Sequence, residues 1–259
     1  MSVMTAAPRA VTRGSGLCQL TITELKLYLR ERVGPVWGVG FPTLLLIILA
    51  SIPAYSKPRA DLGGLTHLDI EVPILIMMAV ALISLIAMPF TLAGYRERGI
   101  LRRMQTTPAG PLRVLAAQLI VSLSTIIVTM ILILAVGRFG YGATLPHQVG
   151  GWVIAMLLTV AALLSMGLFV AAVAPGGWAA MGIGNLLFFP MMFFSGLWLP
   201  IPDMPTVLQH ISHATPLGAA YGALQNATLG QWPTWLQLVT LGAYAVGFGL
   251  AAARFFRWE

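Results

Sequence analysis

Charged side chains are scarce in this sequence: Asp, Glu, Lys and Arg make up 9% of the 259 residues, against about 25% in a soluble globular domain. With 58% apolar residues and a mean hydropathy of +0.86, that shortage excludes a cytosolic enzyme, a disordered tail and a nucleic-acid binder known mainly by its +7 net charge. Cysteine occurs once, at Cys18, so one chain can build neither a disulfide framework nor a Cys-based metal cluster. Lysine occurs only as Lys26 after Leu25 and Lys57 after Ser56, which leaves no G-x-x-x-x-G-K-[ST] loop to cradle a phosphate. Any nucleotide hydrolysis serving this chain therefore sits on another polypeptide. Between Phe139 and Ala253 the one charged side chain is Asp203. A charge at mid-bilayer costs at least ~2.5–3.5 kcal/mol and marks an ion path or proton relay; its absence counts against a proton- or sodium-coupled carrier.

What the sequence does have is long apolar runs, at about 33–54, 72–93, 112–137, 149–174, 177–199 and 232–253, each able to cross ~30 Å of hydrocarbon. They predict an all-α polytopic membrane protein: a flexible cytoplasmic N-terminus over 1–16, then one transmembrane domain of six helices over 17–259. The polar stretch before the first run lacks the ordered regions of a removable signal peptide. Arg9, Arg13, Lys26, Arg30 and Arg32 precede the first run; Arg96, Arg98, Arg102, Arg103 and Arg113 follow the second; Arg254 and Arg257 follow the last. Only Lys57, Arg59 and Arg138 fall in the opposite loops, so the positive-inside rule predicts cytoplasmic termini. The basic balance is a topology signal, and no nucleic-acid partner is needed to explain it.

Two cytoplasmic segments carry patterns of their own. Within 17–32, Cys18, Ile22, Leu25 and Leu29 share a helical stripe from which Gln19, Thr23, Lys26 and Arg30 point away, predicting an amphipathic helix along the cytoplasmic leaflet. A cytoplasmic extension of the first span gives the same pattern. After the second run, the chain from Tyr95 has room for two helical turns between Arg96 and Arg103, and Pro108 restricts Thr107 and stops the helix. Ile100, Leu101 and Met104 supply an apolar side, while Arg98 and Arg102 stack one turn apart, as suits an acidic partner or lipid phosphates. On charge alone, a basic loop that only sets topology fits equally well.

The segment ending in Thr106-Thr107-Pro108 and the run Phe193-Phe194-Ser195-Gly196-Leu197-Trp198-Leu199-Pro200, followed by Met204-Pro205 and Thr215-Pro216-Leu217, resemble permease subunits of the ABC exporter family (the type-two, or type V exporter, membrane proteins). The resemblance covers nearly the whole chain. It implies that Tyr95, Arg96, Glu97, Arg98, Gly99, Ile100, Leu101, Arg102 and Arg103, within 95–107, form a coupling helix docking on a separate ATP-binding-cassette subunit. Residues 17–32, with Glu24, Lys26, Tyr28 and Arg30, would be the connecting helix beside it. Residues 200–230 would form a short extracellular re-entrant cap, framed by Ser195, Gly196, Pro200, Pro205 and Pro216. The second and fifth spans would line the substrate path, placing Met77, Met78, Ser84 and Met88 opposite Asn185, Phe189, Met192 and Phe193. Only about 55–71 separates the first two runs, so the large external domain of some relatives is missing.

The same resemblance implies two permease copies, identical or related, in the cell membrane of a bacterium. The chain itself would bind no cofactor, and ATP and Mg would belong to the partner ATPase. Adaptable Met and Phe surfaces favour a hydrophobic or amphipathic cargo, drug-like or lipidic. Competing readings are a secondary carrier or channel without an ATPase, and an intramembrane enzyme using Ser195. The four histidines lie outside the predicted spans, leaving Ser195 no base at depth. His210 and His213, without a nearby carboxylate, suit cap hydrogen bonds better than a metal site.

Overall fold

The computed structural model describes residues 13–31, 33–55, 57, 66–105 and 110–255, and these form helices and turns without a strand. Helix α1, Arg13–Arg30, starts a turn before the expected boundary at 17; residues 1–12 and Arg32 lie outside the described residues. The 33–54 run is divided into a short piece Val33–Pro35, a helix α2 over Val36–Ala50 that opens with a π-helical turn, and a turn from Ser51 onward, where Pro53 cannot continue the helix. There follow α3 (His67–Glu97), α4 (Ile100–Gln105), α5 (Gly110–Gly140), α6 (Val149–Val173), α7 (Gly177–Phe194), α8 (Thr206–Ala214), α9 (Pro216–Thr228) and α10 (Trp235–Phe255). Among the described residues, α3, α5, α6, α7 and α10 are long and apolar enough to cross a membrane, and α2 is shorter. The chain is a multi-pass membrane protein.

Helix α3 is the axis of the packing. Its apolar stretch is 72% buried inside the protein, against 28% for that of α7 and 11% for that of α10, because Val72 to Leu92 has only Ser84 and Thr91 as polar side chains and can be enclosed all round. Midway it carries a π-helical turn, Leu82–Ala87, whose hydrogen bonds run i→i+5. The Ser84 and Leu85 carbonyls come so near Gly167 of α6 and Gly184 of α7 that a Cβ at either glycine would run into them. Small residues thus let three backbones meet at the centre.

The start of α3 is fastened by Asp69. Its Oδ2 accepts from the Thr66 N–H and hydroxyl, both at 2.8 Å, and its Oδ1 accepts from the Thr144 N–H at 2.7 Å and the Thr144 hydroxyl at 2.8 Å. A buried carboxylate with all four contacts filled is tolerable, and this one ties the entry of α3 to the chain just beyond α5.

At the same end, α7 stops at Phe194, with Ser195 as its cap and Gly196 at φ +92°. Pro205 precedes the exposed amphipathic α8, and Thr215 caps α9 with Pro216 in its first turn. The 13 residues of α9, about 20 Å long, are too short to span and lie almost wholly buried. The Ser212 hydroxyl donates to the Phe194 carbonyl, so α8 hangs from the end of α7. Ser195, Gly196, Pro205 and Pro216 each stand at or beside one of these helix boundaries, and Pro200 precedes a short 3-10 turn, Ile201–Asp203.

Candidate functional site

Helix α3 has 31 residues, about 46 Å, and so outruns the ~30 Å hydrocarbon layer. Its last turn holds Tyr95, Arg96 and Glu97. Successive helical residues diverge by about 100°, so these three side chains leave in three directions and reach three elements. The Tyr95 hydroxyl donates to Glu24 Oε2 of α1 at 2.8 Å. The Arg96 guanidinium donates from Nη1 to the Ala172 carbonyl at 2.9 Å and from Nη2 to the Ala174 carbonyl, at the C-terminal end of α6. Glu97 Oε2 accepts from the N–H of Gly177, the first residue of α7, at 3.1 Å.

The signs match the helix dipoles. A cation sits at the unpaired carbonyls of α6 and an anion at the unpaired N–H of α7. Gly176 leaves room for the carboxylate, since a Cβ there would lie 2.5 Å from Glu97 Oε2.

Helix α1 packs on α5 with Leu20, Thr21, Glu24 and Tyr28 inward. The predicted stripe of Cys18, Ile22, Leu25 and Leu29 stays exposed, as do Lys26 and Arg30. The apolar stripe is thus left uncovered by the rest of the described chain, while a polar pair makes the internal contact. Burial lifts the Glu24 carboxyl above its ordinary 4.5, opposed by the Tyr95 hydrogen bond and assisted by the charge of Glu31. Burial pushes the Tyr28 hydroxyl up to about 12. The Tyr28 ring lies over Gly34, 2.6 Å from where a Cβ would stand, and its hydroxyl reaches Gly38, making a tight elbow between α1 and α2.

The continuous helix expected from Arg96 to Arg103 is corrected. Arg98 caps α3, Gly99 takes φ +67°, and α4 begins at Ile100. A left-handed glycine one residue past a helix cap reverses the chain, so Arg98 and Arg102 do not stack on one helix. Leu101 is buried and Ile100 half-buried, with α4 against α5, while Arg98, Arg102 and Arg103 are exposed. Thr106, Thr107 and Pro108 lie outside the described residues.

The expected path residues divide. Met77, Met78, Ser84, Met88 and Met192 are at most 2% exposed, so they pack in the chain's own core; a helix apolar on every side gives no sign of which face looks outward. Phe189, in contrast, is 56% exposed on a stripe of α7 with Trp178, Gly182 and Leu186. Asn185 and Phe193 are half-buried, and the Asn185 carboxamide donates to the Met181 carbonyl of its own helix at 3.0 Å. The Ser195 hydroxyl donates to the Met192 carbonyl at 2.8 Å, and the exposed His210 places Nδ1 2.7 Å from the Thr206 carbonyl oxygen.

Sequence reasoning missed the Asp69 clasp, though Thr66-x-x-Asp69 has the form of a capping box. It also missed Gly176, which after Pro175 reads only as a turn, and Glu71, whose Oε2 is buried without a hydrogen-bond partner.

The sequence model of the ABC-2 type transporter family matches residues 16–229, from α1 to the end of α9. No curated protein matches the chain. With most of its length and all of the contacts at the end of α3 inside that match, this chain belongs to the ABC-2 type transporter family, the membrane permeases that work with an ABC ATPase subunit.

Proposed function

We propose that this chain is the permease subunit of an ATP-driven exporter that moves a hydrophobic or amphipathic molecule, drug-like or lipidic, out of the cytoplasm or inner leaflet. Six spans with both termini cytoplasmic follow if α2 crosses with the residues flanking it, and the distribution of Lys and Arg supports that orientation. Two permease copies, with ATP and Mg held by separate subunits, complete the machine. The observation that carries the reading is the end of α3: one helical turn tied to α1, α6 and α7, followed by the short α4 with Arg102 and Arg103 exposed. A basic helix standing beyond the membrane suits an acidic groove on a partner. The exposed α7 stripe around Phe189, with Asn185 at its margin, is the surface on which two copies would enclose a cargo.

Co-expression with candidate ATP-binding subunits tests this. The ATPase should copurify with the unsubstituted chain and be lost on replacing Arg102→Glu together with Arg103→Glu, with membrane insertion unchanged. Transport by the purified chain with no ATPase present would establish the carrier or channel instead.

A further inference from the structure

Arg96 and Glu97 are neighbours, yet they seat opposite ends of one turn. Arg96 holds the last carbonyls of α6, and Glu97 holds the first N–H of α7. Only Ala174, Pro175 and Gly176 lie between those helices, a connection too short to absorb displacement of one end relative to the other. Only Arg98 and Gly99 separate the same pair from α4. The polarity is also unique: exchanging the two charges would set an anion against carbonyls and a cation against an N–H. Glu97 reaches its seat because Gly176 has no side chain to fill it.

We propose that Arg96 and Glu97 are positioning residues acting inside the chain, a double cap through which displacement of α4 is delivered to α7 at the turn 174–177. This rests on the reading that α4 engages an ATP-binding subunit. Tyr95 works in parallel, passing the same displacement to α1 through Glu24. The device moves α7 as a unit, together with its exposed stripe of Trp178, Leu186 and Phe189.

The test uses the complex of the full chain with its ATPase, reconstituted in liposomes, with Cys18→Ser and an environment-sensitive bimane label on Leu186→Cys, read on addition of Mg-ATP. Arg96→Met and Glu97→Ala should each lose most of the fluorescence response, while ATPase recovery and hydrolysis persist. Glu97→Gln keeps an acceptor for the Gly177 N–H and should retain the response. Gly176→Ala, which crowds the carboxylate without altering it, should behave as Glu97→Ala. Loss of the ATPase from the Glu97→Ala complex, or full responses in Arg96→Met and Gly176→Ala, overturns the proposal alone. Failure of the unsubstituted chain to retain any ATPase overturns the coupling reading and this proposal with it. Thermal melting of each complex guards against a variant that fails to fold.

Discussion

Two glycines set how closely α6 and α7 approach the middle of α3. At Gly167 and Gly184 the obstacle to a Cβ is a backbone carbonyl, Ser84 and Leu85 respectively, and a backbone atom held by packing on both sides cannot swing away. Gly167→Ala and Gly184→Ala should each cost ~1–3 kcal/mol, a fall of several degrees in the melting temperature of the purified protein. Gly242→Ala and Gly247→Ala, where nothing stands within 4 Å, should melt like the parent; equal melting of all four variants would refute the close approach. At this scale a local role can be read from spacing alone, and Thr66-x-x-Asp69 and the Gly99 after Arg98 both have the spacing of caps, yet the first was overlooked and the helix was expected to run through Gly99. Gly167, Gly184 and Gly176 were not legible, because what makes each a glycine is an atom from another part of the chain.

Among the elements, α3 departs most from expectation. A run expected over 72–93 is a helix over His67–Glu97. Apolarity marks only the stretch that needs no partners, whereas the polar ends are held by Thr144, Glu24, Ala172 and Gly177. The π-helical turn within it sets the rotation of everything after it. Deleting one residue from Leu82–Ala87 should rotate Met88–Glu97 by about 100° and turn Tyr95 away from α1. A Glu24→Cys, Tyr95→Cys pair in a Cys18→Ser background, whose side chains meet only at their tips in the parent and so lie beyond direct disulfide reach, should be joined by a short bis-methanethiosulfonate reagent in the full-length helix and not in the deletion. Crosslinking in both would show that the turn does not set the register. The fifth run, expected to reach 199, ends at Phe194 because Ser195-Gly196 caps it before the apolar residues run out.

For the whole molecule, composition announced a multi-pass protein, and the order of the apolar runs follows the order of the long helices. What composition could not supply was which helix sits at the centre, since α3, α5 and α6 have similar hydropathy and are told apart by burial alone. The sidedness read from Lys and Arg can be checked with the chain's own thiol, because Cys18 is exposed. In intact cells a membrane-impermeant maleimide should label Trp232→Cys in a Cys18→Ser background and leave native Cys18 unlabelled, with the pattern inverted in inside-out vesicles. Labelling of Cys18 in intact cells would reverse the topology.

The Asp69 clasp acquires a mechanical meaning beside the contacts at the other end of the same helix. Helix α3 is pinned near its entry through Asp69 to Thr66 and Thr144, and near its exit through Tyr95, Arg96 and Glu97. A strut held at both ends cannot slide along its own axis. Its π-helical turn, Leu82–Ala87, lies between those two fastened ends, beside the two glycines that bring α6 and α7 against it.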